Sequence, residues 1–192
     1  MKTLKHLLLI AFAIPFFTSC GYNTMVEKSE MVDASWAQVE NVYQRRADLI
    51  PNLVNTVKGY AAHEQETLTG VIEARSKATS VNINADNLNE ATLAQFQQAQ
   101  DGLTSALSKL MVVMERYPDL KANQNFMDLQ AQLEGTENRI AVERKKFNDA
   151  TRDYNAYIKK FPRVIYASWF DFEKKPYFQA EAGSEKAPKV EF

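Results

Sequence analysis

The stretch FMDLQAQLEGTENRIAVERKKFNDATRDYNAYIKKF, residues 126–161, places Phe126, Leu133, Ile140, Phe147, Tyr154 and Phe161 in one unbroken seven-residue phase. Large apolar side chains repeated every seven residues put one stripe on one face of a helix, and sustained repeats of this kind mean helices packed with coiled-coil-like geometry. The same period appears upstream in Trp36, Tyr43, Ile50 and Val57, with Val39, Leu53 and Tyr60 as a second stripe. It appears again in Phe96, Leu103 and Leu110, backed by Ala99, Ala106 and Val113. The reading is an all-α fold: an elongated antiparallel bundle of three long helices over 24–78, 87–116 and 123–162.

The breakers fit that scheme. Pro118 and Pro162 close the second and third helices, because a residue preceding proline is pushed out of the helical region. Asn87 with Glu90 three residues later reads as a capping box, and 79–86 as a polar connection without helical period. Pro51 is the exception, since the apolar phase runs through it from Tyr43 to Val57. A helix continuous over 24–78 would be about 80 Å long, against about 45 Å for the second. Its start, with Trp36 and Val39, then lacks an antiparallel partner in the second helix. Either the chain folds back near Pro51 to give four helices, or the early half projects as a membrane-proximal stalk.

At the amino terminus, Lys2 and Lys5 precede the apolar run Leu7–Phe17, which ends in Thr18-Ser19-Cys20-Gly21. A charged start, a short apolar middle and a small-residue cleavage site form the export-signal pattern. As a helix the run spans about 17 Å of the roughly 30 Å of hydrocarbon in a bilayer. Phe17-Thr18-Ser19-Cys20 resembles a relaxed lipobox, which makes Cys20 a candidate lipid-attachment residue. The alternatives are an uncleaved hydrophobic anchor and plain secretion. The expected organisation is a leader over 1–19, a helical bundle domain over 20–180 and a disordered tail over 181–192.

Composition closes several function classes. Six glycines and six prolines in 192 residues are too few for a turn-rich sandwich or barrel. The net charge of −1 lacks the basic excess of a general nucleic-acid binder. The single cysteine forms no internal disulfide, and two histidines leave little for a multi-His metal site. His63 is followed, not preceded, by its glutamates Glu64 and Glu66, and the pattern occurs once, unlike a di-iron bundle. No nucleophile elbow, phosphate-cradling loop or His-Glu-x-x-His is present. No enzyme activity, cofactor, metal or small-molecule substrate is expected.

Polar residues interrupt the stripes: Arg46 continues Val39 and Leu53, Glu64 continues Ile50 and Val57, and Glu143 lies between Thr136 and Ala150. A charge at a core position is unfavourable unless paired, and it can fix helix register. Arg46 therefore reads as an interhelical ion pair or a snorkelling stem, or as a partner contact. With Trp36, Val39 and Tyr43 it forms the candidate contact for an envelope partner or a second copy, the other reading being a fourth bundle helix. The clusters 144–146, 159–160 and 174–175 read as solvated basic faces, or as contacts to anionic lipid headgroups.

Several longer motifs carry a resemblance. Tyr22-Asn23, Trp36-Ala37-Gln38-Val39, Arg45 to Val54 and Val57 to Glu64 resemble the amino-terminal signature of the LemA family. Tyr117 to Asn123, Phe126, Leu129 and Glu134 to Ile140 are similar to its central signature, and Tyr154-Asn155, Phe161-Pro162 and Tyr177-Phe178 to its closing one. The resemblance implies a helical body attached to a bacterial envelope membrane by its amino end, extracytoplasmic, with no catalytic residues or cofactor to carry over. Magnetosome-associated relatives suggest membrane or assembly roles. One departure is local: Asp171-Phe172 stands where a Gly-Phe pair is common.

Overall fold

The computed structural model describes residues 2–179, with side chains from Gly21 onward except that of Asp86. Those residues form α1 (Lys2–Lys58), α2 (Gln65–Ser80), α3 (Glu90–Met114), the single turn α4 (Pro118–Lys121), α5 (Gln124–Ile158) and α6 (Arg163–Trp169), with a 3-10 turn at Ala85–Asn87. The expected all-α bundle of long packed helices is present, with six helices where three or four were expected.

The first helix is continuous through Pro51, and the chain reverses at residues 59–64 instead. Proline has no N–H to donate four residues back, so the buried Ala47 carbonyl loses its helical partner. Arg75 on α2 replaces it, its Nε donating to the Ala47 carbonyl at 2.7 Å. The exposed proline is thus accommodated by a side chain from the next helix. At the real corner, the Tyr60 and Ala61 N–H groups both donate to the Val57 carbonyl, and the Glu64 N–H to that of Ala61.

The length mismatch is met by α5 rather than α3. From Tyr22 to Lys58 α1 rises about 55 Å, and α5 about 52 Å. They run antiparallel: Tyr60 meets Asn123 through a 2.9 Å hydrogen bond, Arg46 meets Glu137, Trp36 meets Phe147, and Lys28 lies over the Tyr157 ring. The early half of α1 is therefore neither folded back at Pro51 nor a lone stalk. It is covered by the end of α5, by α6, and by residues 171–179, which return along the bundle.

Other local expectations shift. The capping box that opens α3 is Asn89 with Thr92, not Asn87 with Glu90. On α3 the second buried stripe is Leu93, Gln100 and Met114, while Ala99, Ala106 and Val113 are only half-buried on its flank. Pro118 stands at the first position of α4, where its missing N–H is no loss. Phe161, the last member of the α5 stripe, lies beyond the helix end and is 81% exposed. The connection after α2 is not merely polar, because Ile83 is buried in the core. The expected tail over 181–192 lies outside the described residues, as do the side chains of the 1–19 leader and of Cys20.

Two apolar clusters fill the bundle. One is aromatic, built from Trp36, Tyr43, Phe96, Phe147, Tyr154 and Phe178 with Met25, Val32 and Ile140 around them. The other is aliphatic, built from Ile50, Leu53, Val57, Leu68, Val71, Leu103, Leu110, Met114, Leu120 and Leu133, with Phe126 its buried ring.

Candidate functional site

The two clusters are separated by a polar layer. Arg46 falls between Tyr43 and Ile50, Gln100 between Phe96 and Leu103, and Thr136-Glu137 between Leu133 and Ile140, so three helices bring polar residues to one level. The Arg46 side chain is 2% exposed. Its Nη1 donates to Glu137 Oε2 at 2.9 Å and to Thr104 Oγ1 at 3.0 Å. Its Nη2 donates to Gln100 Oε1 at 2.6 Å and to the Gln100 carbonyl at 3.3 Å. The guanidinium also lies 5.1 Å from the Tyr43 ring centre. Gln100 then donates to the Ala78 carbonyl, tying α2 to the same level. Glu137 is half-exposed at the rim. A buried cation held by four acceptors fixes the register of α1, α3 and α5.

The expected ion pair at Arg46 is therefore present, and its partners are Glu137, Gln100 and Thr104. The other three candidate contact residues also face inward. Trp36, Val39 and Tyr43 are buried, and Trp36 Nε1 donates to the Ile83 carbonyl at 3.0 Å. The Trp36 ring meets Phe96 and Phe147 edge-on at 5.3 and 5.6 Å and stacks on Phe178 at 6.0 Å. In this conformation the chain itself covers all four, and none is presented to a partner. They appeared unpartnered because the first helix was measured only against the second.

At the far end of the bundle Glu64 binds both Arg116 and the Tyr117 hydroxyl at 2.9 Å, joining the two helix corners. Near the opposite end Asn155 exchanges two hydrogen bonds with the Lys175 backbone, and Lys175 Nζ pairs with Asp33. Tyr154 Oη donates to the Glu173 carbonyl. Burial, then the charges of Asp33 and Glu173, push the Tyr154 hydroxyl up to about 12. Burial also raises that of Tyr43, and the hydrogen bond to Glu64 raises that of Tyr117. All three shifts favour the protonated hydroxyl, the opposite of what a catalytic base or nucleophile needs, and Tyr154 and Tyr117 use theirs as donors.

These joints pair the sequence motifs with one another. Tyr60 and Glu64 of the first signature meet Asn123 and Tyr117 of the central one; Arg46 meets Glu137; Trp36 meets Phe178 of the closing one. His63 and Glu66 are exposed at the corner and converge on nothing. Among the described residues no group of three or more His, Cys, Asp or Glu is placed to hold a metal ion. Glu143 is partly buried and pairs with Lys146 on its own helix at 2.8 Å. An open groove of about 1200 Å³ lies between α2 and α3, lined among others by Gly70, Ala74, Ala99 and Gly102. Sequence reasoning missed Gln100 and Glu137. The signal for Gln100 was its place four after Phe96 and three before Leu103.

A family model described as the LemA family matches residues 35–192. Magnetosome protein MamQ 2 of Paramagnetospirillum magneticum is 28% identical over 176 residues, covering 82% of this chain and 64% of that protein. Magnetosome protein MamQ of Magnetospirillum gryphiswaldense is 26% identical over 196 residues, covering 93% of this chain and 71% of that protein. Protein LemA of Metamycoplasma hominis is 22% identical over 174 residues, covering 90% and 75%. The chain thus spans 64% of the length of the first of these relatives.

Proposed function

The chain belongs to the LemA family, and from that premise we propose that it is a non-catalytic, membrane-anchored scaffold or adaptor of the bacterial cell envelope. The observation that carries this reading is the pairing of the signature residues with one another inside the bundle. The polar groups at these positions are spent on other parts of the same chain, which builds a body and fixes its register. Similarity to proteins named for the magnetosome supports a part in a cellular assembly. Cys20 is the lipid-attachment residue of this proposal, and the body lies on the extracytoplasmic side. Among described residues 21–179 no helix is long and apolar enough to cross a membrane; in this proposal attachment is through Cys20.

The test is mass spectrometry of the mature amino terminus, with membrane fractionation of wild type and Cys20→Ala. An acylated Cys20 and release of the Cys20→Ala body support the reading. An intact Met1, with membrane retention unchanged in the variant, overturns lipid attachment. For the scaffold role, photo-crosslinking groups belong at exposed Ile72 and Val112 rather than at buried Trp36, Val39, Tyr43 and Arg46. Reproducible adducts to one envelope protein or to a second copy are expected, and their absence from both positions counts against it.

A further inference from the structure

Of the twelve exposed large apolar side chains among the described residues, five fall within residues 161–170. Phe161 and Trp169 are 81% and 70% exposed, and Phe170, Val164 and Ile165 lie exposed with them on the corner formed by the end of α5 and by α6. Scattered exposed apolar residues need no explanation, whereas a contiguous patch marks something that covers it. The corner lies at the end of the bundle where α1 passes Tyr22, two residues after Cys20: the Tyr22 ring meets Phe170 at 5.0 Å and Phe172 at 5.6 Å, edge-on. Ala167 of α6 packs in the same cluster as Met25 of α1.

The charges around the patch favour an anionic surface. Lys159 and Lys160 are exposed and make no ion pair among the described residues, and the Arg163 guanidinium stands over the Tyr157 ring at 4.0 Å. Residues 159–171 carry three basic side chains, Lys159, Lys160 and Arg163, and one acidic, Asp171, a net excess of positive charge. The other basic clusters are largely engaged: Lys146 with Glu143, Lys174 with Glu90, Lys175 with Asp33, and Arg144 over Phe178. Aromatic side chains flanked by lysine and arginine are the composition that settles at the headgroup level of a bilayer.

We propose that the α5–α6 corner, through Phe161, Trp169 and Phe170 with Lys159, Lys160 and Arg163, is a second membrane contact that inserts into the headgroup region of the anionic bilayer holding the amino-terminal segment. This rests on the anchored reading above. A lipidated segment alone would leave the body free to tilt; the corner, on the same end, adds a point of contact that sets its orientation. The occupant is the bilayer because the patch lies beside the point where the chain leaves its anchor, and because its free charges are all lysine and arginine apart from Asp171.

The chain has two tryptophans, and Trp36 is 1% exposed, which makes Trp169 a reporter. The full chain is reconstituted into phosphatidylethanolamine and phosphatidylglycerol vesicles with bromine on the acyl chains near the headgroups. Vesicle flotation and tryptophan emission are then measured for wild type, Trp169→Phe, and a Lys159→Glu, Lys160→Glu, Phe161→Ser variant whose helicity is checked by circular dichroism. Expected is flotation of all three, with bromolipid quenching in wild type that is lost in Trp169→Phe and reduced in the triple variant. Flotation with Trp169 open to aqueous acrylamide and untouched by bromolipid overturns the corner contact alone. Protection from both quenchers overturns it in favour of a protein cover. Failure of the wild type to float overturns the anchored reading, and this contact with it.

Discussion

The two halves of the bundle are packed by different means. Towards the amino-terminal end, α1 and α5 are sealed by rings drawn from distant parts of the chain: Trp36, Phe96, Phe147 and Phe178 come from α1, α3, α5 and the segment after α6. Beyond Arg46 the core is aliphatic, and five helices, α1 to α5, close around it without help from the C-terminal segment. The aromatic half covers a large area with few residues and has only two long helices over part of its length. Its integrity therefore depends on single rings in a way that the leucine-rich half does not.

That difference is most exposed at Trp36. Truncation of a buried tryptophan costs about 3–5 kcal/mol, and Trp36→Ala should fall near the top of that range because it also leaves the Ile83 carbonyl unpaired. Leu103→Ala in the other half should cost about 3 kcal/mol. Denaturant unfolding measures both, and hydrogen exchange separates them. Trp36→Ala should loosen residues 171–179 while leaving α2 and α3 protected; equal loosening of both halves would erase the distinction.

The Arg46 layer divides the halves, and its two charges are unequal. Glu137 is half-exposed and Arg46 buried, so removing the exposed member strands a buried cation while removing the buried one leaves a solvated carboxylate. Glu137→Ala should cost about 3 kcal/mol, far more than its exposure suggests. In an Arg46→Met background the same substitution should cost about 0.5 kcal/mol or less. Chemical denaturation of the four proteins of this cycle measures the difference, and an unchanged cost in the second background would mean that the pair is ornamental.

How legible each half was in the sequence follows from its packing. Helix α5 faces one long partner along its length, so its stripe repeats without a slip from Phe126 to Tyr154. The corner after α1 was hidden because Ala61, Leu68, Val71 and Ala78 continue an apolar rhythm through it, leaving Gly59 as the local mark. Arg46 was visible as a charge inside a stripe, but Gln100 lay in a polar run and Glu137 one residue beyond Thr136. The aromatics of the α5–α6 corner could not be placed from spacing, since density of aromatics does not tell inward from outward. Spacing records which side of a helix is buried, and says little about which helix buries it.

In the aliphatic half, Pro51 and Arg75 form a pair that spacing could not reveal. Arg75→Ala should cost about 1–3 kcal/mol, the penalty for a buried carbonyl left without a donor. Pro51→Ala restores the N–H that the Ala47 carbonyl lacks. In that background the Arg75 substitution should lose at least about half its effect, within the range of coupling seen for residues sharing a partner. Thermal or denaturant melts of the double-mutant cycle measure it; strict additivity would mean that Arg75 stabilises α2 for another reason.

The smallest effect lies in the aromatic half, at the turn that sends the chain back along the bundle. Asp171 has φ of 56°, the left-handed region that glycine adopts without penalty and aspartate tolerates better than most. Asp171→Gly should stabilise by about 0.5 kcal/mol, the relief of the left-handed strain being partly offset by the greater entropy of unfolded glycine. Asp171→Ala should instead cost about 1 kcal/mol, because alanine keeps the Cβ clash and lacks the short polar side chain by which aspartate tolerates the left-handed region. The two substitutions also remove the same negative charge from the cationic corner, so both should strengthen its contact with anionic vesicles while moving thermal stability in opposite directions. Melting temperatures and vesicle quenching measured on the same pair separate turn geometry from charge. If alanine stabilised as glycine does, the charge rather than the backbone would be what aspartate contributes at this turn.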